Sequence, residues 1–203
     1  YDDVQYDKNS WRNRNRIRVP EGAMWLTVPV ETKGSFGQPI NEVRISGSLW
    51  RKKHLASIRQ HYSKASFFKD HIGFFEGIYS KDWGFLNELD FAIIGYFRRA
   101  LGITAELILS STLESKGHKS GRIIELCKEL GAGAYISTNG AKSYLEEGLF
   151  EKNGIALAYQ DYNPPEYQQV YPGFVSHLSI VDVVFNCGPA SMDTILSTSS
   201  CPF

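Results

Sequence analysis

The stretch WRNRNRIRVPEGAMWLTVPV, residues 11–30, decides how the front of this chain folds. From Trp11 to Val19 it alternates, with Arg12, Arg14, Arg16 and Arg18 on one side and Trp11, Asn13, Asn15, Ile17 and Val19 on the other. Period two is the mark of a β-strand. Pro20-Glu21-Gly22 reads as a turn, and Met24 to Val30 as a second, more apolar strand whose Pro29 belongs at an edge or a bulge. Val4 to Tyr6 before it is a short strand, and the Gly-containing loop Thr32 to Pro39 after it leads to an alternating run, Ile40 to Ile45, with one slip. Together these segments predict a small, mostly antiparallel β unit.

The texture changes at Ser48. Leu49, Trp50, His54, Leu55 and Ile58 recur at helical spacing, and Phe67–Tyr79 and Phe85–Leu101 predict two further helices. Beyond Gly102, strand and helix alternate. Glu106–Leu109, Ala134–Ser137 and Ile155–Tyr159 read as strands; Ser120–Leu130 and the short Ala141–Glu147 read as helices. Asn163-Pro164-Pro165-Glu166 is an extended loop. Ser179–Asn186 fits helix better than strand, with Ser176 or Ser179 as its cap and Gly188 beyond its end. The fold class is therefore α/β in its mixed α+β form, in one domain over 1–203. Residues 1–47 are its β-rich basic part and 48–203 its helical and α/β part.

The chain has 203 residues, 42% of them hydrophobic, enough for a real core. Its 22 basic and 22 acidic side chains cancel, which argues against a general polyanion binder. The zero hides a split: residues 1–60 carry +5 and the remainder −5. No run of 18 apolar residues spans a membrane, and no charged and apolar leader opens the chain, so the expected compartment is the cytoplasm. Cys127, Cys187 and Cys201 fit neither a disulfide framework nor a metal site.

The arginine ladder is the strongest chemical feature. On a strand its guanidiniums stand roughly 6.5–7 Å apart, a spacing suited to successive anionic groups such as a diphosphate or a nucleic-acid backbone. An exposed strand kept soluble by arginine explains the same pattern. Asp2 and Asp3 are candidate acid–base or metal-binding carboxylates, or partners that neutralise the arginines. His54 follows Arg51-Lys52-Lys53, and like charge would keep it neutral, as a base near pH 7 must be. The same histidine could equally be partly buried packing. Tyr167 and Gln168, in the loop after Asn163, could bond a ligand or dock the loop. The turn Ser137-Thr138-Asn139-Gly140 with Lys142 could hold an anion or merely connect two elements. No P-loop, GxGxxG or GxSxG is present, no Cys/His set supports zinc, and no cofactor is identified.

Several stretches together resemble the WbqC-like family. They are DDVQYxKxxWxNRNRI (Asp2–Ile17), WLTVPV (Trp25–Val30), INEV (Ile40–Val43) and WxxKHL (Trp50–Leu55). Towards the C-terminus come AxAYIS…GAKxYL (Ala132–Leu145), PxYQQ (Pro165–Gln169) and LSIVDxxFNxG (Leu178–Gly188). Relatives open earlier, on an HQPxYxPWxGYF-like strand and loop that this chain lacks, so the resemblance implies a domain short of its first strand. The resemblance also implies acyl or aminoacyl (glycine-type) transfer to a sugar or sugar nucleotide in surface-polysaccharide (O-antigen) biosynthesis in bacteria. In that scheme Asp3, His54 or Asp2 serves acid–base catalysis, and Gln5, Tyr6, Lys8, Trp11, Asn13, Arg14, Arg16 and Lys53 bind substrate with Tyr167 and Gln168. The partners would be a sugar nucleotide or other phosphate-bearing small molecule and an acyl carrier or aminoacyl-tRNA. Two other readings stand beside it: a nucleic-acid-binding module using the basic front, with Tyr6 and Trp11 stacking on bases, and a non-catalytic assembly protein of a polysaccharide pathway.

Overall fold

The computed structural model describes residues 1–31 and 37–200, without the side chains of residues 199 and 200. Most of the predicted loop Thr32–Pro39, and Cys201, lie outside the described residues. In chain order the elements are β1 (Arg14–Val19), β2 (Gly22–Thr27), α1 (Leu49–Tyr62), α2 (Phe68–Ser80), α3 (Leu86–Ala100), α4 (Lys119–Glu129) and β3 (Ala134–Thr138). They continue with α5 (Glu147–Lys152), β4 (Ala156–Tyr162), α6 (Ile180–Cys187), α7 (Ser191–Leu196) and β5 (Ser199–Ser200). The architecture is mixed α and β, as the alternating patterns predict. The residues gather into two compact units. One comprises Asp2–Glu106 and Pro164–Ile195; the other comprises Tyr1, Leu107–Asn163 and the residues from Leu196 onward. The change of texture at residue 48 lies inside the first unit.

In the first unit β1 and β2 form an antiparallel hairpin with Arg16 opposite Trp25 and Ile17 opposite Met24. Ile17, Met24 and Leu26 look into the core, where they meet Ile58 and Tyr62 of α1, Phe75 of α2, Phe97 of α3 and Val184 and Phe185 of α6. The arginines look the other way. Helix α6 is central: Val181 through Phe185 are all buried, and within that run only Asp182 is polar. Ser179 caps it by accepting a hydrogen bond from the Val181 amide, and Gly188 ends it at φ +53°.

The strand expected at Ile40–Ile45 is instead a 3-10 turn over Ile40–Glu42, followed by single bridges Val30↔Ile45 and Arg44↔Phe85. The slip in its alternation is the reason. Ile40 and Val43 are three residues apart and both buried, which a 3-10 turn satisfies and a strand does not. Strand β2 stops two residues before Pro29, whose missing N–H cannot serve a ladder. Val4–Tyr6 contributes one bridge, Gln5↔Pro39.

In the second unit β3 and β4 are parallel, joined through a 3-10 turn (Asn139–Ser143) and α5, while β5 runs antiparallel to β4. Ile124, Cys127, Ala141, Leu145, Phe150 and Ile155 form the core, and Tyr135 stacks on Phe150 at 5.9 Å. The strand predicted at Glu106–Leu109 joins no ladder among the described residues, and the helix predicted at Ala141–Glu147 is the end of the 3-10 turn followed by the start of α5. Among the described residues no helix is long and apolar enough to cross a membrane.

Candidate functional site

The four arginines of the ladder share one direction but not one environment. Arg12 precedes β1 and forms an ion pair with Asp7 at 2.6 Å. The Arg14 guanidinium lies 4.3 Å from the centre of the Trp25 ring, and that of Arg16 lies 5.7 Å from the same ring. Both contacts follow from register, because Arg16 faces Trp25 directly and Arg14 is its diagonal neighbour. Arg16 also donates to the His177 carbonyl at 2.8 Å. Trp25 stays 48% exposed, so an aromatic surface flanked by two cations faces outward from the hairpin.

Arg18 is only 2% exposed. Its Nε donates to Gln169 Oε1 at 3.1 Å, and its terminal nitrogens donate to the carbonyls of Val19, Gly22, Pro172 and Gly173. Gln169 Nε2 donates to Asp182 Oδ2 at 2.9 Å, while the hydroxyls of Tyr62 and Tyr167 donate to Asp182 at 2.8 Å each. Burial pushes the Asp182 carboxyl up, and these donors together with the Arg18 charge oppose that shift. This is a closed network that ties β1 to α6 and to the loop 167–173. The four arginines spaced alike in sequence are therefore not equivalent: the loop covers Arg18 and leaves Arg14 and Arg16 on the face of Trp25. Tyr167 spends its hydroxyl on Asp182. The glutamine in the network is the buried Gln169, and Gln168 is exposed.

A second set of polar atoms is buried without partners. Tyr6 and Asn13 are buried, yet Tyr6 Oη, Asn13 Oδ1 and Arg14 Nε meet no hydrogen-bond partner among the described residues, and neither do Asn41 Oδ1 and Asn87 Oδ1. Buried polar atoms are normally paired, so such a concentration singles out a place. Tyr6, Asn41 and Asn87 belong to one seam. Residues 2–6 run along residues 38–41 through the bonds Tyr6 N→Gln38 O, Ile40 N→Val4 O and Asn41 N→Asp2 O. The start of α3 docks on the same turn through Leu86 N→Val43 O. Asn13 Nδ2 is held by the Val28 carbonyl at 2.9 Å, which turns its oxygen away from that bond. Burial raises the Tyr6 phenol; the charges of Asp90 and Asp7 add to the effect, and those of Arg12 and Arg14 oppose it. Asp90 thus shares this corner from α3. It is partly buried, and burial lifts its carboxyl to about 7.

The other predicted residues sit as follows. Asp2 is buried, with its carbonyl on the Asn41 amide, and Asp3 is partly buried. Gln5, Lys8 and Lys53 are exposed, and Trp11 is 77% exposed beside the Arg12 guanidinium. His54 is 6% exposed, its Nε2 3.1 Å from the Thr27 carbonyl and its ring edge-on to Trp50 and Tyr79. It is held neutral, as expected, but for a different reason: burial pushes it down to about 4, not the neighbouring cations. Its ring anchors α1 to β2. Among the described residues no three of His, Cys, Asp and Glu gather to hold a metal ion.

Two site residues escaped the sequence reading although a signal existed. Counting from the turn at 20–21 places Trp25 opposite Arg16. Asp90 lies four residues from Leu86 and three from Ile93, on the buried stripe of α3, where a carboxylate is out of place.

The hairpin face of Trp25, Arg14 and Arg16 and the unsatisfied polar groups around Tyr6 belong to a mixed α and β chain without a familiar nucleotide-binding motif. The WbqC-like protein family model matches residues 1–194, and the chain belongs to that family. It is 36% identical over 195 residues to "Uncharacterized protein Rv1507c" of Mycobacterium tuberculosis, an alignment covering 95% of this chain and 84% of that protein. No solved structure matches the chain.

Proposed function

We propose that this protein is an acyl- or aminoacyltransferase whose acceptor is a sugar carried on a phosphate-bearing group, in surface-polysaccharide synthesis. The observation that carries the reading is Trp25, 48% exposed between the guanidiniums of Arg14 and Arg16. Indole offers a flat apolar platform for a base or a sugar face. A guanidinium held over the ring can still offer N–H groups to a diphosphate. Arg14 then binds phosphate with its outer nitrogens, Arg16 shares that task with its bond to His177, and Tyr6 orients the acceptor. Holding acceptor and activated donor together supplies much of the rate enhancement in acyl transfer. The test is direct. Purified protein is mixed with UDP- and dTDP-linked amino sugars and with acyl-CoA, acyl-carrier or aminoacyl-tRNA donors, and amide products are sought by mass spectrometry. Absence of product with every pair counts against the reading.

A second reading is favoured by Trp11, 77% exposed with Arg12 5.6 Å from its ring centre. An exposed aromatic and a cation also suit a single-stranded nucleic acid. That reading requires RNA binding that weakens steeply with salt.

A further inference from the structure

We infer that His177 is the proton-accepting residue of the Trp25 face: its imidazole takes the proton of an acceptor amine held there by Arg14. The inference rests on the transferase reading above and supplies the base which that reading lacks.

Contacts carry it. Arg16 is the link: one of its terminal nitrogens donates to the His177 carbonyl at 2.8 Å, while its guanidinium carbon lies 5.7 Å from the centre of the Trp25 ring. A carbonyl within reach of that guanidinium stands beside the exposed indole, on the outer side of the hairpin. The chain is fixed to the same arginine a second time, because the Ser179 amide donates to the Arg16 carbonyl at 2.8 Å. Ser179 in turn caps α6, so the residues on either side of Leu178 are tied both to β1 and to the core helix. All of them belong to the first unit. Arg14 is left to hold the anion, since its Nε has no partner among the described residues while Arg16 spends a nitrogen on His177.

His177 is exposed and has φ +57°, a left-handed conformation that glycine adopts freely and other residues seldom take. Glycine would serve the turn alone. Histidine there presents an imidazole at the surface, with Nδ1 2.9 Å from Ser176 Oγ. In the tautomer that donates Nδ1–H to Ser176, Nε2 keeps its lone pair free to accept a proton. Backbone strain of this kind collects where a side chain must be aimed. The other histidines of the unit are engaged in packing: His54 against the Thr27 carbonyl, His61 against Tyr171 and His71 against Tyr96.

The step balances with an acyl thioester or aminoacyl ester as donor. The nitrogen of a neutral amine bonds to the acyl carbon while its proton passes to His177 Nε2. The C–S or C–O bond of the donor then breaks, and His177 returns the proton to the departing thiolate or alkoxide.

The first test adds UDP-N-acetylglucosamine to protein carrying nitrogen-15 histidine. The His177 ring signals are assigned by their loss in His177→Asn, a replacement that tolerates left-handed backbone. We expect these signals to shift and to saturate together with the tryptophan fluorescence change, while those of His71 stay in place. Saturating fluorescence with unmoved His177 signals overturns the inference and leaves the sugar-nucleotide reading standing. No binding at all removes both. In the transfer assay, with any donor and acceptor that give product, His177→Asn should lower kcat about 100-fold or more and change KM less than about threefold. Arg14→Ala should instead raise the KM for the sugar nucleotide about tenfold or more. A loss in His177→Asn that is confined to KM, or a kcat within about threefold of wild type, overturns the inference.

Discussion

Arg18 and Asp182 are buried opposite charges bridged by the two ends of one side-chain amide, Gln169. The amide's orientation follows from this: its oxygen faces the guanidinium and its nitrogen the carboxylate. Removing either charge strands the other in the core. Asp182→Ala should cost about 3–5 kcal/mol in urea denaturation, because Tyr62, Tyr167 and Gln169 lose their acceptor at the same moment. Asp182→Asn, which keeps an acceptor oxygen, should cost visibly less. Equal losses would mean that the carboxylate's charge and second oxygen contribute nothing.

Gly188 closes α6 in a conformation that ordinary residues avoid, and an added Cβ would come within 2.4 Å of the Phe67 ring. That ring cannot retreat easily, since Phe67 N is bonded to the Phe185 carbonyl. Gly188→Ala should therefore destabilise by roughly 2–4 kcal/mol, combining strain at positive φ with overpacking. In a double-mutant cycle with Phe67→Ala, part of the loss should disappear.

Asp90 makes stability depend on pH with a defined sign. Its folded carboxyl titrates at about 7 against an ordinary value of 3.8, so the fold favours the neutral form. Its contribution is fully present below pH 4 and is lost as pH rises through 7. Asp90→Asn removes that slope. Thermal melts at pH 5 and pH 8 should show the variant gaining on wild type at the higher pH, the gain growing by at most about 1.4 kcal/mol per pH unit.

His54 acts in the opposite sense. Its folded value of about 4 lies below the ordinary 6.5, so its contribution is present above pH 6.5 and disappears as pH falls towards 4. Wild-type stability should decline through that window. In His54→Gln, whose side chain does not titrate, the decline should be shallower when followed by chemical denaturation.

Trp25→Ala should leave the fold nearly intact, costing under about 1 kcal/mol as a half-exposed residue with two cation–π contacts. On the proposed function it should nonetheless weaken sugar-nucleotide binding about tenfold or more in calorimetry. Unchanged affinity would move the site off the hairpin.

Much of this protein is determined by the sequence alone. Period two between Arg12 and Val19, a turn at Pro20-Glu21 and the apolar run from Met24 prescribe the hairpin and, by counting, its register. Helical spacing locates α1, α2 and α3, and Ser179 with Gly188 brackets α6. The family-bearing stretches pick out the hairpin, Tyr6 and Tyr167 as places of interest. Periodicity, however, specifies only which side chains share a face. It does not say which of them lose water. Among four arginines spaced alike, only the returning segment 169–173 buries Arg18 and leaves Arg14 and Arg16 on Trp25. The same long-range packing selects Gln169 over Gln168, sinks His54 between Trp50 and Tyr79, and leaves Asp90 without a partner among the described residues. Desolvation sets the charge state of each group, and it is decided by residues tens to more than a hundred positions away. Only the tertiary structure brings those residues together.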